Sequence, residues 1–316
     1  MHILFIADPL ESFKIYKDST FAMMRELQLR GHAIASAGPQ DLSWQRGGQV
    51  TAQVRRIRLT GDDDAWFVEE GKEAVALREF GAVIMRKDPP FDSEYFYATH
   101  LLEQAERDGA KVFNKPRALR DHPEKLAILE FPDFIGPTIV TRRPDEIRRF
   151  HAEHRDIILK PLDGMGGMGI FCVKEDGLNL GSIIETLNDG GANTVMVQRF
   201  LPEIAAGDKR VLVIGGKPVP FSLARIPQGS EVRGNLAAGG KGVARPLSPR
   251  DREIGETLGP ILKERGLLLV GLDVIGDRVT EINVTSPTCF QEIHQQAGCN
   301  VAALFADALE EAVTSS

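Results

Sequence analysis

Residues 156–174 read Asp156-Ile-Ile-Leu-Lys-Pro-Leu-Asp-Gly-Met-Gly-Gly-Met-Gly-Ile-Phe-Cys-Val-Lys174: an apolar run that carries a lysine, a glycine-rich loop, and a second apolar run. Gly164, Gly166 and Gly169 have the spacing of a dinucleotide-binding turn, but that turn opens a helix, whereas Ile170–Val173 is rich in strand formers. No Lys-Ser or Lys-Thr pair closes the loop, which argues against a P-loop. The stretch predicts a β-hairpin, whose loop either covers phosphates or is a plain surface turn.

Lys160 decides between these alternatives. It lies on the strand that enters the loop, where its ammonium group can meet phosphates held from above by backbone N–H groups. This position favours the phosphate interpretation.

Two other stretches belong with this one. Arg86-Lys-Asp-Pro-Pro90, Thr280-Glu-Ile-Asn-Val-Thr-Ser-Pro287 and Lys160-Pro-Leu-Asp-Gly-Met-Gly-Gly167 together resemble the bacterial glutathione synthetases, a family of ATP-grasp ligases. The resemblance extends over nearly the whole chain.

The resemblance implies an α/β fold with ATP-grasp architecture. We expect an N-terminal parallel-sheet domain at 1–122, a small α+β lid with the glycine loop at 123–200, and a C-terminal α+β domain with a metal site at 201–316. Within the last domain, Ile226–Gly242 has many glycines and no periodicity, which predicts a mobile loop. Its length suggests a functional segment that folds over bound substrates.

The composition is that of an ordinary globular protein, with 316 residues, 42% hydrophobic and 26% charged. A net charge of −7 argues against general affinity for nucleic acids or membranes. The cysteines Cys172, Cys289 and Cys299 are too few and scattered for a disulfide framework or a zinc site. The apolar start ends at Asp8 and lacks a basic leader, so we expect a first strand and a cytoplasmic protein.

The N-terminal third alternates strand, helix and strand, as in a parallel sheet whose ligands bind beyond the carboxyl ends of its strands. Gly81–Met85 is one such strand and delivers Arg86 at its end. Pro89-Pro90 stiffens the following loop, which favours a substrate role for Arg86 over a merely solvated charge. Ser93 is expected to cap the next helix, and Val50–Leu59 to form one arm of a hairpin.

A second hairpin predicts a metal site. With a three-residue turn at Gly276-Asp277-Arg278, Ile275 pairs with Val279, so Asp273 stands opposite Glu281 and one face collects Asp273, Glu281 and Asn283. The apolar side chains then line the other face. Carboxylate and amide oxygens suit Mg²⁺, or Mn²⁺ in its place, held jointly with phosphates; a solvated sheet face is the alternative.

The resemblance also implies ligand contacts. Lys125 alone would pass for a surface lysine, and only the family pattern makes it a phosphate contact. The implied ATP site consists of Lys125, Lys160, Gly164, Gly166, Gly167, Gln198, Phe200, Leu201 and Asp208. The implied substrate contacts are Arg86, Arg225, Ser286 and Arg233. Arg210 is expected to stabilise the oxyanion and, with Lys160, to act in catalysis.

The implied activity is that of an ADP-forming carboxylate–amine ligase that joins γ-glutamylcysteine and glycine at the expense of ATP. A cytoplasmic homotetramer is implied as well. The alternatives are another ATP-grasp ligase, such as one that joins D-alanine or adds glutamates to a protein, and a non-catalytic ATP-binding module. The Arg86–Pro90 segment and the 226–242 loop argue against the other ligases.

Overall fold

Three β-sheets, formed by successive parts of the chain, make up the framework. This computed structural model describes residues 1–229, 231, 233–236 and 239–315. The strands are β1 His2–Ile6, β2 Ala33–Ala37, β3 Leu42–Ser43, β4 Thr51–Leu59, β5 Phe67–Ala76, β6 Ala82–Met85, β7 Val112–Phe113, β8 Thr138–Thr141, β9 Ile157–Pro161, β10 Phe171–Val173, β11 Val195–Arg199, β12 Asp208–Ile214, β13 Lys217–Ile226, β14 Lys241–Pro246, β15 Leu269–Ile275 and β16 Arg278–Asn283. The helices are α1 Ser19–Leu29, α2 Ser93–Arg107, α3 Pro116–Asp121, α4 Pro144–His154, α5 Leu180–Asn188, α6 Pro249–Glu264, α7 Phe290–Ala297 and α8 Val301–Ser315.

The first sheet has the order β3-β4-β2-β1-β6-β7, with β5 paired along β4. Strand β1 runs parallel to β2 and β6, which confirms the predicted parallel sheet. The carboxyl ends of β1 and β6 lie side by side, since Asp8 follows β1 and its carboxylate pairs with Lys87, which follows β6, at 2.9 Å. The expected pairing of the 42–46 and 50–59 segments is limited to β3 and the start of β4.

The N-cap residue of helix α2 differs from the predicted one. Asp92, and not Ser93, is the N-cap residue, because its carboxylate accepts a hydrogen bond from the Tyr95 amide. Both residue types cap helices well, so the sequence alone did not separate the two adjacent candidates.

The second sheet has the order β10-β9-β11-β8 and contains the glycine hairpin. Strand β10 follows the loop directly, which confirms that the loop opens a strand and not a helix. One face of the sheet has a core of its own beneath α4 and α5, formed by residues such as Ile147, Leu159 and Val197. Since side chains alternate along a strand, the other face carries Lys160, which stands opposite Met196 on β11.

The third sheet has the order β14-β13-β12-β15-β16 and is antiparallel throughout. Strands β12 and β13 form an antiparallel hairpin. Strand β14 is a correction to the predicted loop, because Lys241 and Gly242 pair with Ile226 and Arg225. The connection is therefore 227–240, of which Ser230, Val232, Ala237 and Ala238 lie outside the described residues.

Each sheet lies within one of the three expected segments. In the described part of the chain, no helix is both long and apolar enough to span a membrane.

Candidate active site

A cavity of about 320 Å³ lies where the three sheets meet. Its wall includes nearly every residue that the sequence singled out: Lys125, Lys160, Gly164, Gly166, Gly167, Gln198, Phe200, Leu201, Asp208, Arg210, Arg225, Arg233, Asp273, Glu281, Asn283 and Ser286. Of the predicted site residues, all of which the structure describes, Arg86 alone is absent from this wall. The cavity therefore unites segments that are far apart in the sequence.

The two lysines stand on one side of the cavity. Lys160 is 6% exposed, and its Nζ donates to the Thr280 carbonyl at 3.0 Å. Lys125 is 5% exposed, so it is not a surface lysine, and its Nζ donates to the Gly164 carbonyl and to Glu281 Oε1. Burial lowers the pKa of Lys160, against the opposing charge of Glu281. Two buried ammonium groups at one cavity wall favour an anionic ligand there.

The glycine loop requires glycine for two different reasons. A Cβ at Gly164 would approach Pro161 Cγ to 2.8 Å, whereas Gly167 has a φ of +85°, a region that side chains disfavour. Gly167 also touches the 227–240 connection, because its carbonyl accepts from Arg233 Nη1 at 3.2 Å. Arg233 thus lies directly against the glycine loop.

The hairpin of β15 and β16 has the predicted pairing from Asp273 onward, although its turn differs from the prediction. Asp273 stands opposite Glu281, and Gly271 stands opposite Asn283, as expected. The predicted three-residue turn is wrong, since Ile275 pairs with Arg278 and the turn has two residues. An irregularity of the ladder between Asp273 and Val274 restores the predicted faces.

The polar face of this hairpin is engaged by cations. Arg210 Nε lies 2.6 Å from Asp273 Oδ1, and Arg225 Nη2 lies 2.9 Å from Asp273 Oδ2. On the neighbouring strand, Glu281 pairs with Lys125 at 3.1 Å. Within the described ranges, no group of three or more His, Cys, Asp or Glu side chains could hold a metal ion. The predicted site therefore needs the amide oxygen of Asn283 and ligand oxygens as well.

Gly271 makes room for Arg210. A Cβ at this position would lie 2.8 Å from Arg210 Cδ and 3.1 Å from Pro287 Cβ. Asn283, which stands opposite Gly271 on β16, donates through its Nδ2 to the Gly271 carbonyl at 3.1 Å.

Asp208, Arg225, Asp273 and Arg210 form a buried chain of alternating charge. Asp208 pairs with Arg225, and its Oδ1 is buried without a partner in the described part of the structure. Burial raises the pKa of Asp208 to about 6, although Arg225 opposes the shift. Burial also acts to raise the pKa of Asp273, but Arg210 and Arg225 outweigh it and hold that pKa well below its usual range.

Arg86 lies behind the cavity. It is 4% exposed, its Nε donates to Thr20 Oγ1 and its Nη2 donates to the Pro287 carbonyl, both at 3.0 Å. Arg86 therefore supports the chain segment next to Ser286 and does not reach the cavity itself.

The remaining nucleotide-site candidates form an apolar slot. Ile158, Phe200 and Leu201 line it beside Gln198, whose Nε2 donates to Thr138 Oγ1 at 3.1 Å. Lys174 Nζ lies 4.0 Å from the centroid of the Phe200 ring. A flat apolar slot next to buried lysines has the form expected for a base and its phosphates.

Sequence reasoning missed some of the lining residues, among them Asp88, Glu124, Thr285 and Cys289. Asp88, Glu124 and Thr285 lie within a predicted motif or next to a predicted residue, and Cys289 follows a motif by two residues. The packing of distant segments brings them to the cavity, and the sequence carries no signal for that.

Two family profiles match the chain: "Prokaryotic glutathione synthetase, N-terminal domain" over residues 1–120, and "Prokaryotic glutathione synthetase, ATP-grasp domain" over residues 124–298. The chain belongs to the prokaryotic glutathione synthetase family. A glutathione synthetase of Ralstonia nicotianae is 60% identical over 312 residues, covering 99% of this chain and 96% of the relative. One of Neisseria meningitidis serogroup B is 59% identical over 313 residues, covering 98% of both.

Solved structures confirm the ATP-grasp architecture. The D-cycloserine synthetase DcsG superimposes with a TM-score of 0.69 at 15% identity, covering 98% of this chain and 99% of that one. The ATP-grasp ligase PsnB with its minimal precursor gives 0.63 at 20% identity, covering 98% and 99%. Such distant likenesses show the fold alone. The activity has to be argued from the glutathione synthetase relatives and the cavity.

Proposed function

We propose that this chain ligates γ-glutamylcysteine and glycine with ATP, through an acyl phosphate, to give glutathione, ADP and phosphate. The observation that carries the proposal is the composition of one cavity wall: buried lysines beneath a glycine loop, two strand-borne carboxylates, and two buried arginines. These groups neutralise and align anionic reactants, which is most of what phosphoryl transfer requires. The full-length relatives carry the name of this activity.

ATP would bind with its base in the slot formed by Gln198, Phe200 and Leu201. Its phosphates would then meet Lys125 and Lys160, with the backbone of Gly164, Gly166 and Gly167 above them. Asp208, which belongs to the implied ATP site, would bind the ribose. Its present partner is Arg225, so a ribose contact would use the carboxylate oxygen that has no partner in the described structure.

The metal proposal rests on the donor set. Asp273, Glu281 and Asn283 present oxygen ligands on one hairpin face, which fits the hard cation Mg²⁺, or Mn²⁺ in its place, shared with phosphate oxygens. When bound, the ion would neutralise charge on the transferred phosphoryl group. Both carboxylates pair with lysine and arginine cations in this structure, so a divalent ion would have to share or displace these partners.

In the first step the dipeptide carboxylate attacks the γ-phosphorus of ATP. Arg225 and Ser286 would hold the dipeptide, and Arg86 would act on it only indirectly, by fixing the Pro287 carbonyl. In the second step the amine of glycine attacks the acyl phosphate. Arg210 would donate to the developing oxyanion, a contribution of roughly 3 kcal/mol or more.

We extend the proposal to the features that the resemblance implies. The proposal then includes domain boundaries at residues 122 and 200 and a cytoplasmic homotetramer. It also includes closure of the 226–242 segment, with Arg233, over the substrates. The contact of Arg233 with Gly167 supports a link between this segment and the glycine loop.

The deciding experiment measures ADP release with γ-glutamylcysteine, with and without glycine. We expect rapid release only when both are present, together with stoichiometric glutathione. Nucleotide binding without ADP release would indicate a non-catalytic ATP-binding module. Release that requires D-alanine or a protein substrate instead would indicate another ATP-grasp ligase.

A further inference from the structure

Glu124 is a half-buried carboxylate at the cavity wall for which the proposed mechanism has no role. It stands directly before Lys125, in the link between the first two sheets. Its Oε1 accepts hydrogen bonds from the Val284 amide at 2.9 Å, the Thr285 amide at 3.0 Å and the Thr285 hydroxyl at 2.8 Å. Its carbonyl accepts from the Ile282 amide at 2.9 Å.

These bonds join Glu124 to the chain on both sides of Asn283. The Ile282 amide precedes this proposed metal ligand, and the Val284 and Thr285 amides follow it. Glu124 therefore fixes the end of β16. Asn283 is the last residue of this strand, and Ser286 lies three residues further along the chain.

The next residue completes the connection. Lys125 Nζ donates to Glu281 Oε1 on the same strand and to the Gly164 carbonyl in the glycine loop. Glu124 and Lys125 thus connect the hairpin of β15 and β16 with the glycine loop. Since a carboxylate that accepts several hydrogen bonds from one segment has little freedom, this arrangement sets the distance between Lys125 and the hairpin.

We infer that Glu124 is a positioning residue, which holds Asn283 and Glu281 in register with Lys125 so that metal and nucleotide phosphates bind together. The inference rests on the proposed metal site. It concerns the hydrogen bonds that Glu124 accepts, so glutamine should be able to replace it. Burial, followed by the neighbouring charge of Glu281, raises the pKa of Glu124, while the hydrogen bonds from Thr285 and Val284 act to lower it.

The test compares Glu124→Ala with Glu124→Gln. Glutamine retains an oxygen that accepts the same three bonds, whereas alanine removes it. We would titrate ADP into the full chain by calorimetry, with and without Mg²⁺. Glu124→Ala is expected to weaken Mg²⁺-dependent ADP binding at least tenfold while changing metal-free binding less than twofold, and Glu124→Gln to stay within twofold of the parent in both.

A matched control is Asp251→Ala. Asp251 is 1% exposed and completes the capping box of α6, where its carboxylate accepts from the Ser248 amide, so its loss should lower the thermal midpoint without changing Mg²⁺-dependent ADP binding. If Glu124→Ala does not fold, Thr285→Val removes one of the three bonds and should give a smaller loss of the same kind.

Two results would overturn the inference. The first is Mg²⁺-dependent ADP binding at the parental level in Glu124→Ala, or in Thr285→Val where Glu124→Ala does not fold. The second is a Glu124→Gln variant as impaired as Glu124→Ala. A parent chain whose ADP binding ignores Mg²⁺ would instead refute the proposed metal site.

Discussion

Asp273→Asn should bind γ-glutamylcysteine more tightly than the parent chain, although it should not ligate. In the structure, Asp273 holds both arginines proposed to meet the substrates, with Arg210 Nε at 2.6 Å and Arg225 Nη2 at 2.9 Å. The dipeptide carboxylate must compete with Asp273 for these guanidinium groups whenever no metal occupies the hairpin. Replacing Asp273 by a neutral isostere weakens that competition.

The size of the expected gain follows from the hydrogen bonds between Asp273 and the two arginines. A hydrogen bond to a charged group contributes about 1.5–3 kcal/mol, so weakening one arginine–Asp273 bond corresponds to roughly 10–100-fold tighter dipeptide binding. Calorimetry in the presence of EDTA measures this directly. The thermal midpoint of the variant should be measured alongside, since neutralising one member of a buried ion pair also destabilises the fold.

Glu281→Gln is the matched control. It also removes a proposed metal ligand and should also abolish turnover, but Glu281 pairs with Lys125 and not with the arginines. We therefore expect no gain in metal-free dipeptide affinity. The reasoning fails if Asp273→Asn binds the dipeptide no better than the parent, or if Glu281→Gln gains equally.

Three further predictions concern other parts of the cavity. Lys160→Ala should weaken ATP binding roughly 10–100-fold with an intact fold, because the ammonium group no longer meets the phosphates; unchanged affinity by calorimetry would return Lys160 to a structural role. The folded-state pKa of Asp208 is raised to about 6, so its stabilising contribution is present below about pH 4 and is lost as the pH rises through 6. Between about pH 4 and 7 the unfolding free energy of the parent should therefore fall relative to that of Asp208→Asn, on the order of 2 kcal/mol. Parallel pH profiles of the two chains in denaturant melts would contradict this. Protease should cut near Arg233 in the free chain, and ATP with γ-glutamylcysteine should slow that cut; equal rates by mass spectrometry would exclude substrate-driven ordering of the 226–242 segment.

The sequence was most informative where a pattern is local. Strand formers after the glycine loop predicted the hairpin correctly, and the division of polar and apolar side chains predicted the faces of β15 and β16. The turn between them was wrong, because an irregularity in the ladder can offset a turn that is one residue shorter. Alternation predicts which face a residue occupies, while the route by which the chain achieves it depends on backbone geometry.

Longer-range features were less accessible. Strand β14 was missed because its pairing with β13 spans a segment of glycines. Strand β5 was missed because its middle is a cluster of charged residues, with no alternation of polar and apolar side chains. The burial of Arg86 also could not be predicted, since the residues that accept its hydrogen bonds, Thr20 and Pro287, come from distant parts of the chain. A strand's end can be predicted from sequence, but what packs against that end cannot.

Gly271 carries a consequence for how this site can change over time. Its backbone conformation is open to any residue, yet even one methyl group would occupy the space in which Arg210 lies and would press on Pro287. Displacing Arg210 would leave buried Asp273 with one cation fewer, so stability and chemistry would suffer together. A chain with alanine at 271 would still display every motif of the family, while its arginine was turned away from Asp273. When relatives are sorted by their motifs, the residue at this otherwise featureless position would be the one to read for loss of ligase activity.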